Sequence, residues 1–352
     1  MNFELRPARL SLLLGDNGSG KTTVLDVLGN LRDLIVLGRT STELFSYTRT
    51  KWEMRDVQRF ELEFQFDSNA TYHYVLEIQH PQGLQERPFI RSESVSFNGE
   101  PLYRFSEGEA HLYYEDDAEG PVFPFRSDQS FLTNLDSART PRMGRLGEFK
   151  EFIEGLWIIQ PNPFQMDAVS KQDQSFLMRR GLNFASFFEH LNAERPDVRA
   201  ALEEHLREAL PGFRNFLFKR LGDVKLLMVA FGDEKHKAEY GLGELSEGQR
   251  VLLILYAAVF GHLRRGSLLC FDEPANFVSL PEIQPWLQTL RDVLDEQQGQ
   301  ALVISHNPEV IDYLALDSVL RFERPSGPVI VRPLELDGEP DLRLSDIIAR
   351  GA

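Results

Sequence analysis

Gly15-Asp16-Asn17-Gly18-Ser19-Gly20-Lys21-Thr22 follows an apolar run, Arg9 to Leu14, and opens a helical pattern, Lys21 to Leu31. The order strand, GxxxxGK[ST] loop, helix is that of a phosphate loop. Its glycines let backbone N–H groups converge on phosphate oxygens, and the helix amino terminus adds positive potential. Lys21 would reach the β and γ phosphates of a nucleotide, the Thr22 hydroxyl would bind Mg²⁺, and Thr23 continues the binding segment. A glycine turn with a solvated lysine is the bland alternative, and the strand-to-helix context disfavours it. Ser267-Leu-Leu-Cys-Phe-Asp272-Glu273-Pro274 supplies the matching half. Four apolar residues make a buried strand, Asp272 at its carboxyl end can bind the Mg²⁺ shell, and Glu273 would polarise an attacking water. The chemistry would be phosphoryl transfer from ATP to water.

Those residues need a mostly parallel α/β sheet to hold them. Leu268–Phe271 and Ala301–Ser305 read as short buried strands with a helix from about Pro281 to Glu296 between them. Strands alternating with helices imply that architecture. Leu156–Ile159 reads as a further strand, Asp197–Leu210 and Glu247–Leu263 as helices, and Lys225–Phe231 as a strand. Between the first helix and Leu156 the period changes. FELEFQF and YHYVLEIQ alternate apolar and polar residues, with turns expected at Asn69, Pro81-Gln82-Gly83 and Asn98-Gly99, so an antiparallel β insertion is expected over about 55–110. Gly108 to about Arg145 is rich in Gly, Pro, Asp and Ser and reads as loop.

Leu245-Ser246-Glu247-Gly248-Gln249 resembles the LSGGQ signature of ATP-binding-cassette proteins, with glutamate for the middle glycine. Read alone, Ser246 is a helix amino-terminal cap. Its place 26 residues before Asp272 (272 − 246) follows the family order. The resemblance implies that Ser246, Gly248 and Gln249 contact ATP held by an opposite subunit, hence a homodimer through two shared ATP sites. It also implies that His306, after the strand ALVIS, senses the γ-phosphate. Gln160, after LWII, would link Mg²⁺ and water to a helical subdomain. The implied set is therefore Glu273, His306 and Gln160 for catalysis; Gly15 to Thr23 with Ser246, Gly248 and Gln249 for nucleotide; and Thr22, Asp272 and Gln160 for metal.

The chain further resembles ATPases related to the overcoming-lysogenization-defect family. The residues that carry this are Glu93 in RSESVSFNGEPLYRF, Gln160-Pro-Asn-Pro, Asp272-Glu273-Pro274 and Ser305-His306-Asn307-Pro308. The resemblance implies a P-loop ATPase domain over 1–335, with a helical, signature-bearing subdomain over about 165–263 and a tail over 336–352. Full-length members carry a carboxy-terminal nuclease domain, and the 46 residues after His306 (352 − 306) are too few to hold one. Ala275 to Pro281 departs from the family's acidic and His-Pro pattern, and Phe3–Leu5 leaves little room for a leading strand, so that strand is short or the true start lies upstream. The family relation suggests work in DNA maintenance or anti-phage defence, with a separate effector protein.

With 38 basic and 54 acidic residues the net charge is −16, which argues against indiscriminate coating of nucleic acid. Local clusters (Arg139, Arg142 and Arg145; Arg179 and Arg180; Arg214, Lys219 and Arg220) leave ATP-dependent DNA binding open beside the ordinary reading of solvated faces. One cysteine, Cys270, forms no internal disulfide, and no apolar run reaches 18 residues, so a cytoplasmic protein with no membrane span is expected. Two other readings stay open: a membrane transporter's nucleotide-binding subunit, disfavoured by the 139 residues between Lys21 and Gln160, and a slow ATP-dependent binding switch. A coiled-coil chromosome organiser is excluded by the lack of heptads.

Overall fold

Strands buried on both faces need unbroken apolar runs, and the chain has three that pair side by side. In a computed structural model describing residues 3–49, 55–67, 70–81, 87–114, 120–135, 144–233, 235–315, 318–324, 327–334 and 343–349, Leu10–Gly15 lies parallel to both Gln300–Ile304 and Ser318–Glu323. Leu268–Asp272 adds in parallel to the far side of Gln300–Ile304, Leu156–Ile159 comes next, and Ile330–Pro333 closes the other edge antiparallel. Leu12, Leu13, Cys270, Phe271 and Val303 are fully buried in this six-stranded, mostly parallel sheet. The chain divides into two compact units, residues 1–25 with 157–352, and residues 26–156.

In the first unit the sheet is joined by helices Lys21–Ile35 (its first turns), Glu247–His262, Leu280–Gln297 and Pro308–Leu314. Glu247–His262 is apolar nearly all round, from Val251 to Val259, because it is core on every side. The expected helical subdomain is mixed. Helices Phe184–Glu194 and Pro196–Ala209 stand beside a four-stranded antiparallel sheet of Val169–Ser170, Phe213–Leu221, Val224–Gly232 and Lys237–Gly241. A turn at Gly222-Asp223 pairs Leu221 with Val224 and makes a hairpin of a stretch in which the sequence pattern marks only Lys225–Phe231 as a strand. The expected tail is not featureless either: Leu344–Ala349 is a helix, Leu344 is buried, and Ser345 bonds Asp312. The rest of it, 336–342 and 350–352, lies outside the described residues.

The second unit holds a six-stranded antiparallel meander running in chain order from Val57 to Pro124. It therefore extends past the expected limit of about 110, and the stretch read as loop contains the strands Glu109–Leu112 and Val122–Pro124 and the helix Gly144–Glu154. Asn98-Gly99 forms the expected tight turn, but Glu107-Gly108 forms another, with positive φ at both residues. Glutamate seldom adopts that conformation, so the hairpin carries no obvious turn signal. The turns expected at Asn69 and Gln82-Gly83 lie outside the described residues, as do Arg139 and Arg142.

Tyr72, Tyr74, Leu76 and Ile78 alternate inward along one strand, and Phe149 of the helix packs on both tyrosines. Beneath them Glu93, 1% exposed, accepts hydrogen bonds from Tyr74 (2.9 Å), Tyr103 (3.1 Å) and Ser130 (2.8 Å). Burial outweighs these donors and pushes its pKa from 4.5 up to about 7. A raised folded pKa favours the protonated native state: the contribution is complete below the unfolded value and is lost as pH rises through 7. Denaturant unfolding of the wild-type protein should therefore weaken between pH 5 and pH 8, by on the order of 3 kcal/mol from this group. Glu93→Gln should flatten that slope. Equal slopes in the two proteins would refute the assignment.

Candidate functional site: a phosphate cleft

Gly15 ends its strand with φ +144°, and a Cβ there would lie 2.3 Å from the Phe322 carbonyl oxygen. Only glycine lets the chain turn away from the sheet so close to its neighbour strand. The loop closes through the Ser19 N–H to the Asp16 carbonyl (3.1 Å), and Lys21 begins the helix. The Lys21 ammonium folds back onto the carbonyls of Gly15 (2.6 Å) and Asp16 (3.1 Å). Burial pulls its pKa below the ordinary value, against the opposing pull of Glu273, Asp16 and Asp272.

Three parallel strand ends open onto this loop. Asp272, 3% exposed, receives the Gln160 amide at 3.0 Å, and the Gln160 N–H donates to the Arg179 carbonyl at 2.7 Å. Glu273 adopts φ +52°, left-handed backbone that costs a non-glycine residue about 1–3 kcal/mol. Its N–H donates to Ile304 (2.9 Å), and its carboxylate accepts the His306 N–H (3.2 Å) with the imidazole Nε2 at 3.7 Å. Burial raises the Glu273 pKa, the His306 N–H and imidazole oppose it, and Asp272 adds to the rise.

Asn17, Gly18, Gly20, Lys21, Thr22, Thr23, Gln160, Asp272, Glu273 and His306 line one cleft of about 530 Å³. Asn276 and Ile304 also line it; neither was foreseen, and their only signal is a position just beyond an acidic pair or within an apolar strand. Gly15, Asp16 and Ser19 shape the loop without lining the cleft. Ser246, Gly248 and Gln249 do not line it either. They lie at the start of Glu247–His262, where Ser246 and Gln249 form a capping box (3.2 and 3.0 Å). Gly248 is pressed against the Phe277 backbone, 2.7 Å from where a Cβ would stand to that carbonyl oxygen.

The residues fit a Mg²⁺-bound nucleotide. The Ser19 hydroxyl, within the loop, is buried with no hydrogen-bond partner among the described residues. The candidate metal ligands, the Thr22 hydroxyl, the Asp272 carboxylate and the Gln160 amide, are hard oxygen donors. Of the described members of the basic clusters, Arg145 stacks on Phe97, Lys219 pairs with Glu239, Arg214 bonds the Asp233 carbonyl, and Arg179 lies beside Asp272. No described helix is long and apolar enough to cross a membrane.

Residues 157–312 match the family model described as "AAA domain, putative AbiEii toxin, Type IV TA system". That stretch includes Gln160, Leu245–Gln249, Asp272, Glu273 and His306, but not the phosphate loop. The chain is similar to Protein ea59 of Escherichia phage lambda, 21% identical over 225 residues, which are 61% of this chain and 38% of that protein. The match thus spans well under half of the relative's length. Among solved structures, the SMC head domain from Thermotoga maritima superposes with a TM-score of 0.44 at 14% identity, covering 93% of this chain and 91% of that one. An SMC head bound to the C-winged helix domain of ScpA gives 0.49 at 13% identity, with coverages of 93% and 91%. These are distant likenesses.

Lys21→Ala removes the one ammonium that lines the cleft among the described residues and should abolish nucleotide binding while the fold survives. Calorimetric titration of folded variant with ATP checks this; wild-type affinity would mean the loop does not hold phosphate.

Proposed function

We propose that the chain binds Mg²⁺·ATP in this cleft and hydrolyses it to ADP and phosphate. The observation that carries the reading is the meeting of Lys21, Gln160, Asp272, Glu273 and His306 on one phosphate loop. Loop N–H groups and Lys21 hold the phosphates, and Lys21 moves from the carbonyls of Gly15 and Asp16 to do so. Thr22, Asp272 and Gln160 would hold Mg²⁺. Mg²⁺, when bound, neutralises charge on the phosphates. Glu273 orients the attacking water and accepts its proton, a role served by burial that raises its proton affinity. His306, bonded to Glu273, steadies that carboxylate and lies where the terminal phosphate would be felt.

The reading extends to a second copy. Ser246 is exposed at the helix start, Gln249 is half-buried and Gly248 is buried against Phe277, all outside their own cleft, and residues serving the partner's ATP are expected to lie outside it. The exposed pair Phe164 and Phe277, with ring centroids 5.5 Å apart, lies on the two loops touching that helix and offers apolar surface to such a partner. The setting inferred is DNA maintenance or anti-phage defence with a separate effector, supported by the toxin–antitoxin wording of the matching family.

Glu273→Gln should bind ATP yet turn it over about a hundredfold more slowly, and run as an ATP-dependent dimer on a sizing column. Normal turnover would sink the role given to Glu273. Ser246→Arg should bind ATP but not dimerise. Mixed with Lys21→Ala protein it should regain partial activity, because one composite site then carries neither lesion. Mixed dimers that form and stay inactive would exclude independent composite sites.

A further inference from the structure

Asp272 is a buried carboxylate with a second carboxylate directly after it. Its Oδ2 receives the Gln160 amide at 3.0 Å and lies 3.8 Å from an Arg179 Nη. Arg179 is absent from the cleft lining and approaches Asp272 from the segment behind Gln160. That segment is firmly built. The Gln160 and Asn162 N–H groups donate to the carbonyls of Arg179 (2.7 Å) and Arg180 (3.2 Å). Buried Asn183 accepts from the Met178 N–H and donates to Gln174 and the Phe176 carbonyl. Gly181 lies so close to Ile254 of the signature-bearing helix that an added Cβ would stand 2.4 Å from its Cδ1. The backbone of Arg179 is thus held from both sides, and the guanidinium reaches Asp272 as a consequence of the fold.

A carboxylate withdrawn from water needs positive charge or hydrogen bonds to offset its lost hydration. Mg²⁺ needs the same carboxylate, and two cations crowded onto it repel each other. We infer that Arg179 is the resident counter-ion of Asp272, a positioning residue that competes with Mg²⁺ for this carboxylate and leaves it when Mg²⁺·ATP loads. The inference rests on the Mg²⁺·ATP reading of the cleft. Arg179 thereby sets the Mg²⁺ level at which the site fills. Its loop abuts both Gln160 and Ile254, so its release is felt at the helix that carries Ser246.

Binding of a fluorescent ATP analogue to the full chain, titrated with Mg²⁺ at fixed nucleotide, tests this. In Arg179→Gln the half-saturating Mg²⁺ should fall roughly three- to fivefold, the range an ion pair with a half-exposed partner supports. Arg179→Lys, which keeps the charge, should stay near wild type, and so should Arg180→Gln at the exposed neighbour. Arg179→Met reads the same quantity should the glutamine variant fail to fold. Thermal melts without Mg²⁺ should show the Arg179→Gln protein destabilised, with Mg²⁺·ATP restoring it. A merely damaged loop would raise the Mg²⁺ requirement, so an unchanged or higher half-saturation in folded variant overturns the inference. Wild-type binding that ignores Mg²⁺ would instead overturn the reading of the cleft.

Discussion

Leu13, Ile304 and Asp272 lie at one level across three neighbouring parallel strands, Leu13 paired with Ile304 and Ile304 with Asp272. The residues just beyond each strand end make the site: the phosphate loop after Leu14, Ser305-His306 after Ile304, and Glu273 after Asp272. Parallel strands place all three carboxyl ends on one edge, where ligands of open α/β sheets bind. The register is held by apolar side chains on both faces. Burying each is worth about 1.5–3 kcal/mol, and a slip of one residue would exchange the faces and carry Asp272 away from the cleft. The chemistry therefore depends on packing that takes no part in it.

Given that register, the charges of the cleft engage one another. Lys21 lies on two carbonyls, Asp272 on Gln160 and Arg179, and Glu273 on the His306 N–H. Each pairing lowers the cost of holding a partly buried charge, and each is one that a phosphate, a metal ion or a water could replace. The left-handed backbone at Glu273 belongs to the same arrangement. It is held by the Ile304 carbonyl and by the turn through Asn276, which directs the carboxylate back toward His306.

The helix beginning at Glu247 gathers the loops that surround the cleft. Arg250 donates to the Pro163 carbonyl at 2.8 Å, in the segment that begins at Gln160. Two residues earlier Gly248 meets the Phe277 backbone, and about one turn later Ile254 meets Gly181. A helix so nearly buried, in contact with three such loops, transmits small shifts between them, because close-packed interiors do not absorb them.

The phosphate loop, the acidic strand end and the long helices were legible because each is written in contiguous residues: glycine spacing, an apolar run before Asp272, an apolar period closed by Pro211-Gly212. The antiparallel insertion was visible where alternation was clean and Asn98-Gly99 marked the turn. It was lost beyond Gly108, where glutamate occupies a positive-φ position. The hairpin at Gly222 was missed although its partners are chain neighbours, because Phe213–Leu221 is irregular in register and does not alternate cleanly, whereas the buried Leu344 belongs to a helix whose partners, such as Asp312, lie far along the chain. Arg179 reads locally as half of a basic pair, and only the fold puts it beside Asp272, 93 residues on (272 − 179). Local pattern is carried by backbone preference and side-chain period, which neighbours in the chain suffice to express. The partners of a buried charge are chosen by which distant strands and loops pack together, and that choice has no local mark.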